Sequence, residues 1–147
     1  MIGGFALLKE IVESGLYHVD EHGRVWTKRI PRMHKQVYDD RWVLAGYRTG
    51  EYLAFKWKGR CIYNHVFVWC WFNGKLPEDW EVDHIDTDNF NNHPDNLEAV
   101  TKQINQLRRW ERRPELREQH SKIFAGRIFS DESRKKMSRS AVQRWHG

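Results

Sequence analysis

Residues 78–98 carry eight aspartate and glutamate side chains but no lysine or arginine, within a chain whose net charge is +5. An acidic stretch of this kind inside a basic protein requires a structural or functional reason. Its pattern predicts two short strands separated by a polar loop, at 81–85, 86–95 and 96–100. Any fold for this chain must therefore accommodate a strand-loop-strand segment that concentrates negative charge.

A basic helix is predicted to follow the acidic stretch, over residues 102–112. Its apolar positions recur at helical spacing: Ile104, Leu107 and Trp110. Thr101 is the predicted N-cap, and Pro114 ends the helix because proline has no amide hydrogen to continue it. The whole segment is thus predicted to be a β-loop-β-α unit.

The residues before this unit predict short strands separated by turns. Turns are expected at 20–23 and at Lys58-Gly59, because β-prone runs flank both. The predicted strand segments are 17–19, 24–26, 52–57 and 60–63. Residues 27–41 are basic and give no clear pattern. The apolar run at 65–72 fits either a buried strand or a short core helix, since periodicity does not distinguish them.

These elements indicate an α+β fold, in which short strands lead into the β-loop-β-α unit and then into a helical, basic arm. The predicted domains are a β-rich N-terminal region at 1–60, a central module at 61–113 and the arm at 114–147. Within the arm we expect a linker over 114–129 and a terminal helix capped by Ser130.

The positive charge of the chain is concentrated at its C-terminal end. Residues 1–101 have a net charge of −3, whereas residues 102–147 have a net charge of +8. A polyanion such as nucleic acid is the natural partner for such an arm, because each neutralised phosphate releases counterions. A solvated basic face without a ligand is the alternative.

The sequence predicts a cytoplasmic protein. No apolar run approaches the roughly 18 residues that a membrane span needs, and the first residues lack a basic leader and a small-residue cleavage site. Cys61 and Cys70 are too few for a disulfide framework and form no CxxC pair, which favours a reducing compartment.

Three polar residues of the β-loop-β-α unit have the chemistry that phosphodiester hydrolysis requires. The reaction needs a base that deprotonates water and a hard cation near the phosphate. An imidazole with its ordinary pKa near 6.5 is largely neutral around pH 7, so His84 is a candidate base. Asp83 and Asn105 offer the oxygen ligands that Mg²⁺ prefers.

The predicted helix places Asn105 among cations three or four residues apart: Lys102, Arg108, Arg109 and Arg112. One helix face would thus combine a metal ligand with groups that attract phosphate. Neighbours in a regular strand point to opposite faces, so Asp83 and His84 can share a site only if the strand ends or bulges there.

Other metal sites fit the sequence less well. An EF-hand starting at Asp86 would place Leu97 where a glutamate is needed, and no Cys/His quartet has the spacing of a zinc site. Loop residues that could instead bond their own backbone in turns are Asp86, Asp88, Asn91 and Asn92. His65 fits a buried core residue or, alternatively, a phosphate-positioning group.

The stretch from Tyr63 to Asn105 resembles the HNH nuclease module, in the form found in phage and intron-encoded homing endonucleases. The matching segments are His65 with its aromatic run, Phe72-Asn73-Gly74-Lys75-Leu76-Pro77, Val82-Asp83-His84-Ile85-Asp86, Asn91-Asn92, Asn96-Leu97, Val100-Thr101 and Asn105. The resemblance implies a ββα-metal fold for residues 61–113 and a DNA endonuclease activity.

The resemblance also implies roles for individual residues. His84 would be the general base, and Asp83 and Asn105 the metal ligands. Asn96 would tie the loop together and orient the base. The implied cofactor is a divalent metal, Mg²⁺, for which Mn²⁺ can substitute. Asn105 stands where many relatives have histidine, and an amide oxygen weakens the preference for transition metals.

Residues 126–138 are similar to a short modular DNA-binding motif that is often appended to these nucleases. The similarity implies a helix against double-stranded DNA, with these residues as contacts: Arg134, Lys135, Lys136 and Arg139.

The predicted function is therefore a homing-type DNA endonuclease that nicks one strand or cuts both, as a monomer or a homodimer, in the host cell of a phage or intron. A catalytically silent DNA-binding protein on the same scaffold is the alternative. The basic arm makes a ribonuclease or a non-specific toxin nuclease less favoured.

Overall fold

The computed structural model of the chain describes residues 4–32 and 35–125. Its elements are, in chain order, α1 (Phe5–Glu13), β1 (Tyr17–Val19), β2 (Val25–Arg32), β3 (Lys35–Leu44), β4 (Tyr47–Thr49), β5 (Tyr52–Trp57), β6 (Arg60–Tyr63), α2 (Asn64–Asn73), β7 (Trp80–His84), a 3₁₀ turn (Pro94–Asn96), β8 (Leu97–Thr101), α3 (Lys102–Arg112) and α4 (Pro114–Ala125). The mixture of helices and small sheets confirms the α+β fold class. Two compact units divide the chain, Met1–Asn105 and Gln106–Gly147, and the boundary falls within α3.

The strands of the first unit form three antiparallel sheets, ordered β1-β2-β3, β4-β5-β6 and β7-β8. The predicted strands around 20–23 and around Lys58-Gly59 are confirmed. Strands β2 and β3 occupy most of 27–41, where no pattern predicts an element. Strand β2 is hydrogen-bonded on both sides, so backbone pairing defines it more than its own side chains do.

The apolar run at 65–72, which fitted either a strand or a helix, forms helix α2. Residues on all of its faces are buried, which is why the run shows no amphipathic period. Gly74 ends the helix with a positive φ of 84°, and its amide donates to the Cys70 carbonyl at 2.8 Å. No helix in the described part of the chain is long and apolar enough to cross a membrane.

The predicted helix over 102–112 is confirmed, but the linker prediction is wrong over 114–125, where α4 lies. Thr101 accepts a hydrogen bond from the Ile104 amide at 3.3 Å, as expected of an N-cap. Pro114 lies after the end of α3 and is the first residue of α4. Proline is accepted there because the amide hydrogens in the first turn of a helix are not needed for its backbone hydrogen bonds. The predicted terminal helix from Ser130 lies outside the described residues.

One hydrophobic core joins the N-terminal elements to the β7-β8 hairpin. Phe67 of α2 is 1% exposed, and its ring lies 5.3 Å from that of Phe55 and 6.2 Å from that of Tyr17. Other buried members come from seven elements besides α2: Leu8, Ile11, Val19, Val25, Trp57, Ile62, Val82 and Leu97. The hairpin therefore packs on the same core as the strands that precede it.

The turn at 20–23 is organised by a single carboxylate. Asp20 accepts hydrogen bonds from the amides of His22 and Arg24 at 3.0 Å, from Arg24 Nε at 2.7 Å and from Trp26 Nε1 at 2.9 Å. Partial burial alone would raise the pKa of Asp20. The hydrogen bonds from Trp26, Arg24 and His22 outweigh it and hold the pKa well below the ordinary value.

Asp20→Asn should lower the free energy of unfolding by about 1 to 2 kcal/mol at pH 7, because the new amide nitrogen cannot accept from Trp26 and Arg24. Because the pKa of Asp20 is lower in the folded state, its carboxylate stabilises the fold above the unfolded value near 3.9, and this stabilisation is lost as pH falls below that value. The difference in unfolding free energy between wild type and Asp20→Asn should therefore shrink at low pH. Urea unfolding at several pH values measures it. Glu21→Gln, on an exposed neighbour, should have little effect, and an equal loss in both variants would contradict this assignment.

Candidate active site

Strand β7 brings the predicted base and its acidic neighbour into the protein interior. Asp83 pairs with Glu98 and His84 with Leu97 in a regular antiparallel register, and the strand ends at His84. Asp83 is 8% exposed and His84 is 2% exposed. The condition for a shared site is thus met by the end of the strand and not by a bulge.

The loop after β7 is tied together by Asp86 and Asn96. The Asn96 amide nitrogen donates to Asp86 Oδ1 at 2.9 Å and to the Asn91 carbonyl at 2.8 Å, while its oxygen accepts from the Asp86 amide at 3.0 Å. The hydrogen bond from Asn91, followed by those from the Asp88 amide and from Asn96, lowers the pKa of Asp86. Asn96 therefore makes the contacts expected of a loop-tying residue.

Turn chemistry also accounts for several other loop residues. Asp86 and Asp88 each accept a hydrogen bond at 2.9 Å from the amide two residues later. Asn91 donates to Asp86 Oδ2 at 2.7 Å. These three side chains therefore form hydrogen bonds within their own loop, as the alternative interpretation of the sequence predicted.

Asn92 differs from its neighbours because its side chain reaches the His84 ring. Asn92 Oδ1 lies 2.9 Å from His84 Nε2, and Asn92 is 7% exposed. The resemblance had assigned the orientation of the base to Asn96, whose side-chain contacts are with the loop. The only sequence signal for Asn92 was its place in the matched Asn-Asn pair.

His65 packs beside the predicted base. Its ring centre lies 5.0 Å from that of His84 and 5.1 Å from that of Tyr52. Burial, and then the charge on His84, lower the pKa of His65 to about 3, while Asp83 opposes this shift. His65 is therefore neutral near pH 7, which favours a core role over binding phosphate by charge.

Asn105 projects from the first turns of α3 toward β7. Its amide nitrogen donates to Glu81 Oε2 at 2.6 Å. Glu81 and Asp83 are two residues apart on one face of a regular strand, roughly 7 Å along it. The amide nitrogen can only donate, and its hydrogen bond to Glu81 fixes the orientation of the amide; the amide oxygen is the atom that can serve as a metal ligand.

The donor set suits a hard cation that keeps part of its water shell. Among the described residues, no three His, Cys, Asp or Glu side chains are grouped as a metal site. A cation here would depend on the oxygens of Asp83 and Asn105, with water and substrate completing the coordination, as is usual for Mg²⁺. An open cavity of about 970 Å³ is lined by Asn105, His65 and Tyr52, so solvent reaches the proposed ligand Asn105 through it.

The cations predicted to contact DNA fall in different parts of the chain. Lys102 is exposed, and its Nζ lies 3.2 Å from Asp79 Oδ1. Arg109 and Arg112 are exposed in α3, whereas Arg108 is partly buried. Four predicted contacts lie outside the described residues: Arg134, Lys135, Lys136 and Arg139.

One comparison with known proteins matches a family over part of the chain. A family model described as HNH endonuclease matches residues 63–107. No curated protein gives a significant match to the chain. A solved structure on DNA binding and cleavage by the HNH homing endonuclease I-HmuI is similar, with 24% identity over 74% of this chain and a TM-score of 0.49. The match covers 62% of that chain.

The family match contains the elements that carry the candidate site. It begins before α2, includes β7 with Asp83 and His84, and extends past Asn105 in α3. Residues 63–107 are therefore an HNH endonuclease domain.

Proposed function

We propose that the protein is a DNA endonuclease that hydrolyses phosphodiester bonds with one divalent metal ion and with His84 as general base. The position of His84 supports this most directly: a buried imidazole at the end of β7, next to Asp83 and hydrogen-bonded to Asn92. A general base must be held in a fixed orientation to take a proton from water. The products would carry 5′-phosphate and 3′-hydroxyl ends.

Asp83 and Asn105 would hold the metal, Mg²⁺ or in its place Mn²⁺. When bound, the ion supplies positive charge that stabilises the phosphate and the leaving oxygen. Asp83 contributes a buried carboxylate and Asn105 a neutral oxygen, while Glu81 fixes the Asn105 amide by a hydrogen bond at 2.6 Å. Glu81 thereby acts as a support for a ligand.

Double-stranded DNA is the proposed substrate, and cations after residue 101 are its proposed contacts. Residues 102–147 carry a net charge of +8, which suits the phosphate backbone. The proposed contacts in α3 are Lys102, Arg108, Arg109 and Arg112. With one site per chain, a monomer would nick one strand and a homodimer would cut both, as a homing enzyme in the cytoplasm of a host cell.

His84→Ala should reduce cleavage of supercoiled plasmid by about 10² to 10⁴-fold while leaving DNA affinity unchanged, since it removes only the base. The assay is run with and without Mg²⁺, on DNA from the source genome and on a neutral plasmid. His18→Ala is the matched control, because His18 is an exposed histidine in β1, away from the loop that follows β7.

Undiminished cleavage by His84→Ala would eliminate His84 as the base. Binding without cleavage by the wild-type protein on every substrate and metal would favour the silent DNA-binding alternative.

Replacing four cations of the arm by alanine should flatten the dependence of DNA affinity on salt. The positions are Arg134, Lys135, Lys136 and Arg139. The slope of log K against log salt should fall by about 3 to 4, because each lost phosphate contact removes about 0.9. Lys58→Ala is the control, since that ammonium is ion-paired with Glu10 and does not line the cavity that contains Asn105. An unchanged slope in the fourfold variant would remove these residues from the interface.

A further inference from the structure

We infer that Asn92 is a positioning residue for the proposed base: it accepts a hydrogen bond from His84 Nε2–H and thereby leaves Nδ1 as the nitrogen that takes the proton. The inference deepens the proposed function and depends on it for its catalytic meaning. It assigns a role that the family resemblance had given to Asn96.

The atoms in contact determine the direction of the hydrogen bond. Asn92 Oδ1 lies 2.9 Å from His84 Nε2. A carbonyl oxygen carries no hydrogen and can only accept, so the imidazole nitrogen must donate. A neutral imidazole has one N–H, and its place on Nε2 leaves a lone pair on Nδ1.

Burial makes this preference strong. His84 is 2% exposed and Asn92 is 7% exposed, so bulk water cannot readily replace either partner. The other tautomer would set two lone pairs against each other and leave a buried acceptor unsatisfied, which is costly. The ring is also flanked by His65, 5.0 Å away between ring centres, which limits its rotation.

The backbone of Asn92 is held in place by the N-terminal turn. A Cβ on Gly23 would lie 1.9 Å from the Asn92 carbonyl oxygen, so the two peptides are in direct contact. Gly23 has a positive φ of 76° within the turn that Asp20 organises. The first sheet therefore supports the residue that orients the base, which gives part of residues 1–60 a role in the active site.

Asn92 and Asn96 thus divide two tasks. The Asn96 amide makes three hydrogen bonds to the loop, with Asp86 and Asn91 as partners. Asn92 contacts the imidazole itself. Asn96 holds the loop in shape, and Asn92 transmits that shape to His84.

The tautomer of His84 tests the inference in the absence of DNA and metal. In the full ¹⁵N-labelled chain at about pH 8.5, roughly two units above the ordinary imidazole pKa, Nε2 should show a pyrrole-type shift and Nδ1 a pyridine-type shift. Protonation at Nδ1, or an even mixture, would overturn the inference. This spectrum requires no variant and decides the question even if substitutions unfold the protein.

Two variants of matched shape separate the hydrogen bond from packing. Asn92→Asp keeps an acceptor oxygen and should keep the Nε2–H tautomer, whereas Asn92→Leu should lose it. Asn92→Leu should also slow single-turnover cleavage by about 10²-fold with little change in DNA affinity, and Asn92→Asp should stay within about tenfold of wild type. Wild-type tautomer and rate in Asn92→Leu would contradict the positioning role.

Failure of the proposed function has a different signature. If His84→Ala cleaves like the wild type, His84 is not the base, whatever its tautomer. If His84→Ala is inactive but Asn92→Leu is fully active, the base stands and the positioning role fails.

Discussion

Burial of helix α2 is the constraint on which the rest of the first unit depends. The helix is apolar and has buried residues on every face, so several other elements must pack against it. Phe67 packs against Phe55 and Tyr17, while Val82 and Leu97 bring β7 and β8 onto the same core. The polar end of β7 is consequently held against the hydrophobic core. The position of His84 relative to α2 follows from this packing.

The contacts of the acidic residues at 78–98 explain why negative charge is concentrated there. Asp86 accepts hydrogen bonds from its own loop, Asp79 pairs with Lys102, and Glu81 accepts from Asn105. Among the side chains whose burial the structure describes, Asp83 is the one buried carboxylate. Most of the negative charge is thus used to build the loop and to hold side chains, and Asp83 is the acidic group next to the proposed base.

The β-loop-β-α unit could be predicted to within about one residue because its strands, cap and helix each have a local signal. Thr101 caps α3, and Pro114 cannot extend it. Helix α2 could not be distinguished from a strand, because burial of residues on every face removes the period that identifies an element. Strands β2 and β3 were missed because their pairing partners, more than their own residues, define them.

The candidate site shows the same division between local and non-local information. Asp83, His84 and Asn105 are recognisable by their chemistry and order in the chain. The contact between His84 and Asn92 is not, because it depends on the path of the loop that Asp86 and Asn96 close. The support from Gly23 is still further away in sequence, 69 residues before Asn92. The groups of the candidate site can be recognised in the sequence, but the orientation of its proposed base depends on the folded loop and on the turn that contacts this loop.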